Sequence, residues 1–167
     1  MVKPKVKVYI DGSNVFYTQK DLGWSIDWMK VKKYLKKNWD IIEMRYYTGI
    51  KEGDQKMAKY LRYFDRIGVV TVTKPLKRIK TKDGFIFKSN FDVEMTTDIL
   101  LDRTDLDEIM LFSGDSDFHY LVNKIHSLGK RMVVFSSRKM LSWELKLAAD
   151  KYIFLEDVRK QIVRKKR

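Results

Sequence analysis

The strongest constraint in this chain is an alternation. Short apolar runs that read as strands are separated by segments with helical periodicity. The runs are "KVKVYI" (5–10), "IIEMRYYT" (41–48), "VVTVT" (69–73), "EIMLFS" (108–113), "RMVVFS" (131–136) and "YIFL" (152–155). Between them, "SIDWMKVKKYLKKN" (25–38) sets Ile26, Met29, Tyr34 and Leu35 near one helical face with lysines on the others. "DQKMAKYLRYFDRIG" (54–68) repeats Met57, Leu61, Phe64 and Ile67, and Gly68 is placed to end it. Further helices are predicted over 93–103, 118–129 and 142–150, and a final basic helix over 157–167. Strands joined through helices need crossover connections. These give a mostly parallel sheet with helices on both faces, and the connections are right-handed. The common open arrangement has strand order 3-2-1-4-5-6 and binds ligands at the carboxyl ends of its strands, where the order reverses. One segment breaks the alternation: "KPLKRIKTKDGFIFK" (74–88) reads as an inserted basic β-hairpin turning at Asp83–Gly84.

With 167 residues, the chain is expected to form one domain over 1–157, followed by a basic helix or tail over 158–167. The absence of cysteine excludes disulfides, thiolate zinc sites and a cysteine nucleophile. There is no G-x-G-x-x-G, Walker A or H-E-x-x-H motif, which argues against a dinucleotide enzyme, a P-loop NTPase and a zincin. His119 and His126 alone make no zinc site, and Trp24, Trp28, Trp39 and Trp143 are expected to pack against helices. No apolar run approaches the roughly 20 residues of a membrane helix, and "MVKPKVKVYI" lacks a signal peptide's pattern. A cytoplasmic protein without membrane contact is the expectation. The formal net charge is +13, which attracts polyanions, nucleic acid first among them. Lysine-rich surfaces also simply solubilise.

In so basic a chain the acids at two strand ends stand out. The first strand runs into "DGSN", Asp11 to Asn14, and the fourth into "SGDSD", Ser113 to Asp117. If those strands are neighbours at the switch point, Asp11, Asp115 and Asp117 converge from about a hundred residues apart. Asp92, at the start of a predicted helix in "KSNFDVEMTTD", is a further candidate for the same edge. Two carboxylates 4 Å apart repel by about 4 kcal/mol at an effective dielectric of 20. Such a cluster needs protons or a cation, and oxygen-only ligands select a hard ion, Mg²⁺ or Mn²⁺. The competing reading is local: Ser116 or Asp117 caps the following helix. Two acidic strand ends at one switch point favour the metal.

The hairpin supplies a second feature. Lys74, Lys77, Arg78, Lys80, Lys82 and Lys88 crowd it, interleaved with Phe85 and Phe87. The cations are expected to contact phosphates. Ile79, Phe85 and Phe87 are expected to be the hairpin's buried face.

Three motifs carry a resemblance: "YIDGSNVFY" (9–17), "KSNFDVEMTTDIL" (88–100) and "LFSGDSDFHYLV" (111–122). Together they resemble the NYN domain family, in particular its LabA-like (DUF88) branch within the PIN-like nuclease superfamily. "SWELKLAADKYIFLED" matches the way that branch ends. The resemblance implies a Rossmann-like PIN-type three-layer sandwich and metal-dependent cleavage of RNA. It places Asp11, Asp92, Asp115 and Asp117 at the acidic metal positions, Asn14 at the polar partner of the first motif, and Lys88 at the lysine opening the second. Ser89 stands where the family has glycine, and Tyr120 where it often has proline.

The expected function is a metal-dependent nuclease, acting as a ribonuclease on single-stranded RNA with DNA as the alternative substrate. Asp11, Asp92 and Asp115 would hold the ion and Asp117 would complete its shell or orient water. Asn14 and Ser113 would position water or substrate oxygens. Self-association into a homo-oligomer is compatible with the sequence. The alternatives are a non-catalytic RNA-binding scaffold and a haloacid-dehalogenase-like phosphatase. The latter requires an acid where this chain has Ser13.

Overall fold

The computed structural model describes residues 1–165. In chain order, β1 (Lys5–Asp11) leads into α1 (Gly12–Leu22) and α2 (Trp28–Leu35), and β2 (Asp40–Ile50) into α3 (Gln55–Arg66) and β3 (Val70–Pro75). The hairpin strands β4 (Lys77–Thr81) and β5 (Gly84–Lys88) follow, then α4 (Asp92–Asp102), β6 (Glu108–Phe112) and α5 (His119–Ser127). The chain closes with β7 (Arg131–Ser136), α6 (Trp143–Ala148), β8 (Lys151–Phe154) and the short α7 (Arg159–Ile162). Six strands form one sheet in the order β3-β2-β1-β6-β7-β8, with every neighbouring pair parallel. Setting the separate β4-β5 hairpin aside, this is the order 3-2-1-4-5-6, with its reversal between β1 and β6.

Period-two alternation decides which face each strand residue serves. Val8, Ile10, Met110, Phe112, Val133 and Phe135 join one core, with Trp28, Val31 and Leu35 of α2 and Phe64 of α3. Tyr9, Ile109, Leu111, Met132 and Val134 face the other core, with Met95 and Ile99 of α4 and Leu121, Val122 and Ile125 of α5. Burial on both faces makes the central strands almost continuously apolar, as parallel strands require. The architecture is the three-layer α/β sandwich expected of a PIN-like fold.

Several local expectations are corrected. The helix α1 has no counterpart in the sequence pattern, because its buried residues are only Gly12, Val15 and Thr18, too sparse a set to show a period. Asp11 nucleates it by accepting the Asn14 N–H at 3.2 Å. In α2 the buried face is Trp28, Val31 and Leu35, and Met29 stands exposed. The two-residue hairpin turn is Lys82–Asp83, because Thr81 and Gly84 are the last pair of the ladder. Gly84, at φ +134°, opens β5 in a conformation that other residues avoid. The predicted basic C-terminal helix is a single turn: Ile162 is buried in the α2 side core, and Val163 bridges to Ile26. Its last two residues, 166 and 167, lie outside the described residues. Trp28 and Trp39 are buried, but Trp143 is exposed on α6. Ile79, Phe85 and Phe87 are likewise exposed rather than buried, because β4 and β5 form a two-stranded sheet of their own, apart from the six-stranded sheet and its two cores.

Candidate acidic site

The carboxyl ends of β1 and β6 meet because the strands are adjacent, with Ile10 opposite Phe112. Asp11 therefore faces Ser113 one residue further on. Ser113 Oγ donates to Asp11 Oδ2 at 3.0 Å and accepts the Asp115 N–H at 3.2 Å. Asn14 Oδ1 accepts the Gly114 N–H at 3.1 Å, a second tie between the two motifs. Gly12 and Gly114 are required by close approach. A methyl on Gly12 would collide with the Tyr47 carbonyl, and one on Gly114 with the Met140 carbonyl and Ser136 Oγ.

One carboxylate oxygen from each of Asp92, Asp115 and Asp117 lies within 4.8 Å of the other two. Asp92 comes from the first turn of α4, and the other two from the turn between β6 and α5. Asp11 falls outside that mutual group. It is 8% exposed, and both of its oxygens are taken, one by its helix cap and one by Ser113. The open cluster is thus Asp92, Asp115 and Asp117, with Asp11 buried beside it and tied to Asp115 through Ser113. The local capping role falls to Asp115, whose Oδ1 accepts the Asp117 N–H at 3.0 Å, rather than to Ser116 or Asp117.

Electrostatics mark the cluster. Burial pushes the Asp11 carboxyl up to about 6, against hydrogen bonds from Asn14 and Ser113 that pull it down, and the charges of Asp92 and Asp115 push it further. Asp92 is also raised, first by burial, then by Asp115, Asp117 and Glu94. Among the described residues none of the four acids is in an ion pair. The N-termini of α1 and α4 each carry one of them, a favourable but modest compensation. Three carboxylates in reach of one another, with no basic partner and no nitrogen or sulfur donor, fit a hard divalent cation.

Asn90 was not foreseen. Its Nδ2 donates to Asp92 Oδ2 at 2.9 Å and its Oδ1 accepts the Asp92 N–H at 2.7 Å, so it fixes that carboxylate. The signal was an Asn two residues ahead of a helix start, a pattern that usually marks a turn. The other acids of α4 are engaged elsewhere: Glu94 pairs with Lys74 at 2.6 Å, and Asp98 with the Tyr47 hydroxyl at 2.7 Å and Arg45 at 3.1 Å. Lys74 also donates to the Asn90 carbonyl, which ties the hairpin's base to α4 and occupies one of the cations assigned to nucleic acid. Lys77, Arg78, Lys80, Lys82 and Lys88 are exposed on the hairpin.

A parallel sandwich with acids gathered at its switch point defines the class as a PIN-like α/β protein. The NYN domain model matches residues 5–156, and the chain belongs to the NYN domain family, a nuclease-like group within the PIN-like superfamily. It is 30% identical over 168 residues to the "Low amplitude and bright protein LabA" of Synechococcus elongatus, covering 98% of this chain and 90% of that one. A crystal structure of a protein of unknown function from Vibrio parahaemolyticus shares the fold, with TM-score 0.81 and 24% identity over 97% of each chain. Family membership displaces the phosphatase alternative. No helix among the described residues is long and apolar enough to cross a membrane.

Proposed function

We propose that this protein is a metal-dependent ribonuclease that hydrolyses phosphodiester bonds of single-stranded RNA at the Asp11–Asp92–Asp115–Asp117 site. The observation that carries the reading is the unpaired triad of Asp92, Asp115 and Asp117 at the β1/β6 switch point. Asp92, Asp115 and Asp117 would hold Mg²⁺ or Mn²⁺, with Asp11 adding buried negative charge beside them. Such an ion polarises a phosphoryl oxygen and acidifies water. Asn90 holds the Asp92 carboxylate in orientation, and Ser113 does the same for Asp11. Asn14, tied to Gly114, keeps the two strand-end motifs in register around the site. Asp117, the most exposed of the triad, would orient the attacking water. In-line attack on phosphorus breaks the bond to the 3′ oxygen and leaves 5′-phosphate and 3′-hydroxyl ends. The exposed cations Lys77, Arg78, Lys80, Lys82 and Lys88 would receive the RNA backbone.

The test is incubation of labelled single-stranded RNA and DNA with the protein in Mn²⁺ or in EDTA, beside the Asp115→Asn variant. Cleavage of RNA in Mn²⁺, lost in EDTA and in the variant, is the expected result. RNA that shifts in a gel but stays intact under every condition would replace the nuclease with a non-catalytic binder.

A further inference from the structure

A groove of about 910 Å³ opens between α1, the first turns of α3 and the hairpin. At one end it is lined by Gly12 and Ser13, which follow Asp11 directly, and by Lys88 and Ser89, which lead toward Asp92. Its walls carry Phe16, Tyr17 and Phe87, residues that are 59%, 57% and 43% exposed. Exposed rings of this size are costly to leave in water without a ligand to cover them. The cations Lys56, Lys88 and Arg164 line the same groove, against one acid, Asp54. Lys51 sits over the Phe87 ring at 4.3 Å, so positive charge and ring face are presented side by side.

We infer that this groove is a track for the unpaired bases of single-stranded RNA, with Phe16, Tyr17 and Phe87 as stacking platforms and Lys56, Lys88 and Arg164 as phosphate contacts. The inference rests on the ribonuclease reading and extends it by naming what leads the strand to the acids. Rings accept any base on their faces, and flanking cations follow the backbone. This is the composition that single-strand recognition requires and duplex recognition does not. Charge selects the occupant: a second copy of a chain with net charge +13 would bring its own positive surface to a positive groove, whereas a polyanion is complementary. Gly12 in its lining is the chain neighbour of Asp11, and Ser89 lies three residues before Asp92, so a strand held in the groove lies beside a site suited to phosphate chemistry, which a peptide or a second copy would not use.

The test measures binding apart from cleavage. Fluorescence anisotropy of a labelled 12-nucleotide single-stranded RNA is followed in EDTA with the full chain, beside a duplex of the same sequence and a single-stranded DNA. Phe16→Ala and Phe87→Ala are each expected to weaken single-strand binding by about fivefold or more. Phe16→Trp and Phe87→Trp should restore it, and all four should keep the parent's thermal unfolding midpoint. Weaker duplex than single-strand binding is part of the expectation. Ring-dependent binding by a chain that never cleaves would sustain the groove and sink the nuclease. Cleavage with unchanged affinity in both alanine variants would do the reverse. Equal affinity for duplex, no binding at all, or loss of a dimer on sedimentation in the alanine variants with RNA affinity intact would each overturn the inference.

Discussion

Ser113 joins Asp11 to Asp115: its hydroxyl donates to the buried carboxylate of the first and accepts the backbone N–H of the second. One small side chain at the end of β6 thereby holds the acid of β1 and begins the turn that carries the triad. Ser113→Ala should leave Asp11 with only its helix-cap partner. Removing a hydrogen bond to a buried charged group costs about 1–3 kcal/mol. Urea denaturation at neutral pH should show a loss of that order, and the Asp11 carboxyl, followed by carbon NMR, should titrate above its position in the parent.

The metal-free protein should lose stability as pH rises from about 4 to about 6. Burial raises the folded Asp11 carboxyl from 3.8 to about 6, so across this window the folded chain retains a proton that the unfolded chain has released. The contribution is complete below the unfolded value and gone above the folded one, a span of roughly 3 kcal/mol. Asp92 is shifted in the same direction. Asp11→Asn keeps a good helix cap and removes the carboxylate. Its stability in EDTA should be flatter over that range and higher than the parent's at pH 7, measured by thermal unfolding in matched buffers. An unchanged slope in the variant would assign the pH dependence to other groups.

Addition of Mn²⁺ should reverse that penalty. A ligand that binds only the folded state at a hundred times its dissociation constant adds about 2.7 kcal/mol. The unfolding midpoint should rise with Mn²⁺ concentration in the parent and stay fixed in Asp92→Asn and Asp117→Asn. Isothermal calorimetry of the same proteins gives an independent measure. A midpoint insensitive to Mn²⁺ in the parent would remove the metal from the account.

Gly114→Ala should be severely destabilising. The added methyl would meet the Met140 carbonyl, which is backbone and has little room to retreat, as well as Ser136 Oγ. Overpacking of a rigid site typically costs about 1–3 kcal/mol, and displacement of the turn should also separate Asp115 from Asp92. Both effects are read together, as a lowered unfolding midpoint and a lost Mn²⁺ response. Gly53→Ala is the control: its φ of +76° brings strain, but nothing lies within 4 Å of the added atom and the acidic turn is untouched.

Reversing charge at Arg78 and Lys80 should weaken RNA binding and flatten its salt dependence, because both are exposed on the hairpin and neither is in an ion pair among the described residues. Lys74→Ala should behave differently. Lys74 is held by Glu94 and the Asn90 carbonyl, and it lies over the Phe91 ring at 4.4 Å. Its loss should loosen the hairpin's base, visible as faster amide exchange in β4 and β5, with little change in the salt slope. A salt slope altered as much by Lys74→Ala as by the hairpin reversal would return Lys74 to the phosphate contacts.

The sheet was legible because burial on both faces writes itself as runs such as "EIMLFS" and "RMVVFS", and crossover connections leave few orders for six parallel strands. The convergence of Asp11 with Asp115 was legible for the same reason, since adjacent parallel strands end at the same edge. Helix α1 was not legible, because a helix that buries only Val15 and Thr18 besides Gly12 leaves no periodic trace. Neither was the exposure of Phe85 and Phe87, because a hairpin's alternation is the same whether or not another layer covers it.

The amino-acid sequence determined the strands and the strand ends on which the acids sit, since these follow from patterns set by neighbouring residues; the strand order was expected only as the commonest arrangement of such a sheet. Tertiary structure alone decided which acids stay open. Asp11 is consumed by its own helix cap and by Ser113, while Asp92 is turned toward Asp115 and Asp117 by Asn90. The cap and the Asn90 contact are local, but the Ser113 bond and the approach of Asp92 to Asp115 and Asp117 join segments distant along the chain. Those long-range contacts exist only once packing has brought their partners together, within about 3 Å for the hydrogen bond.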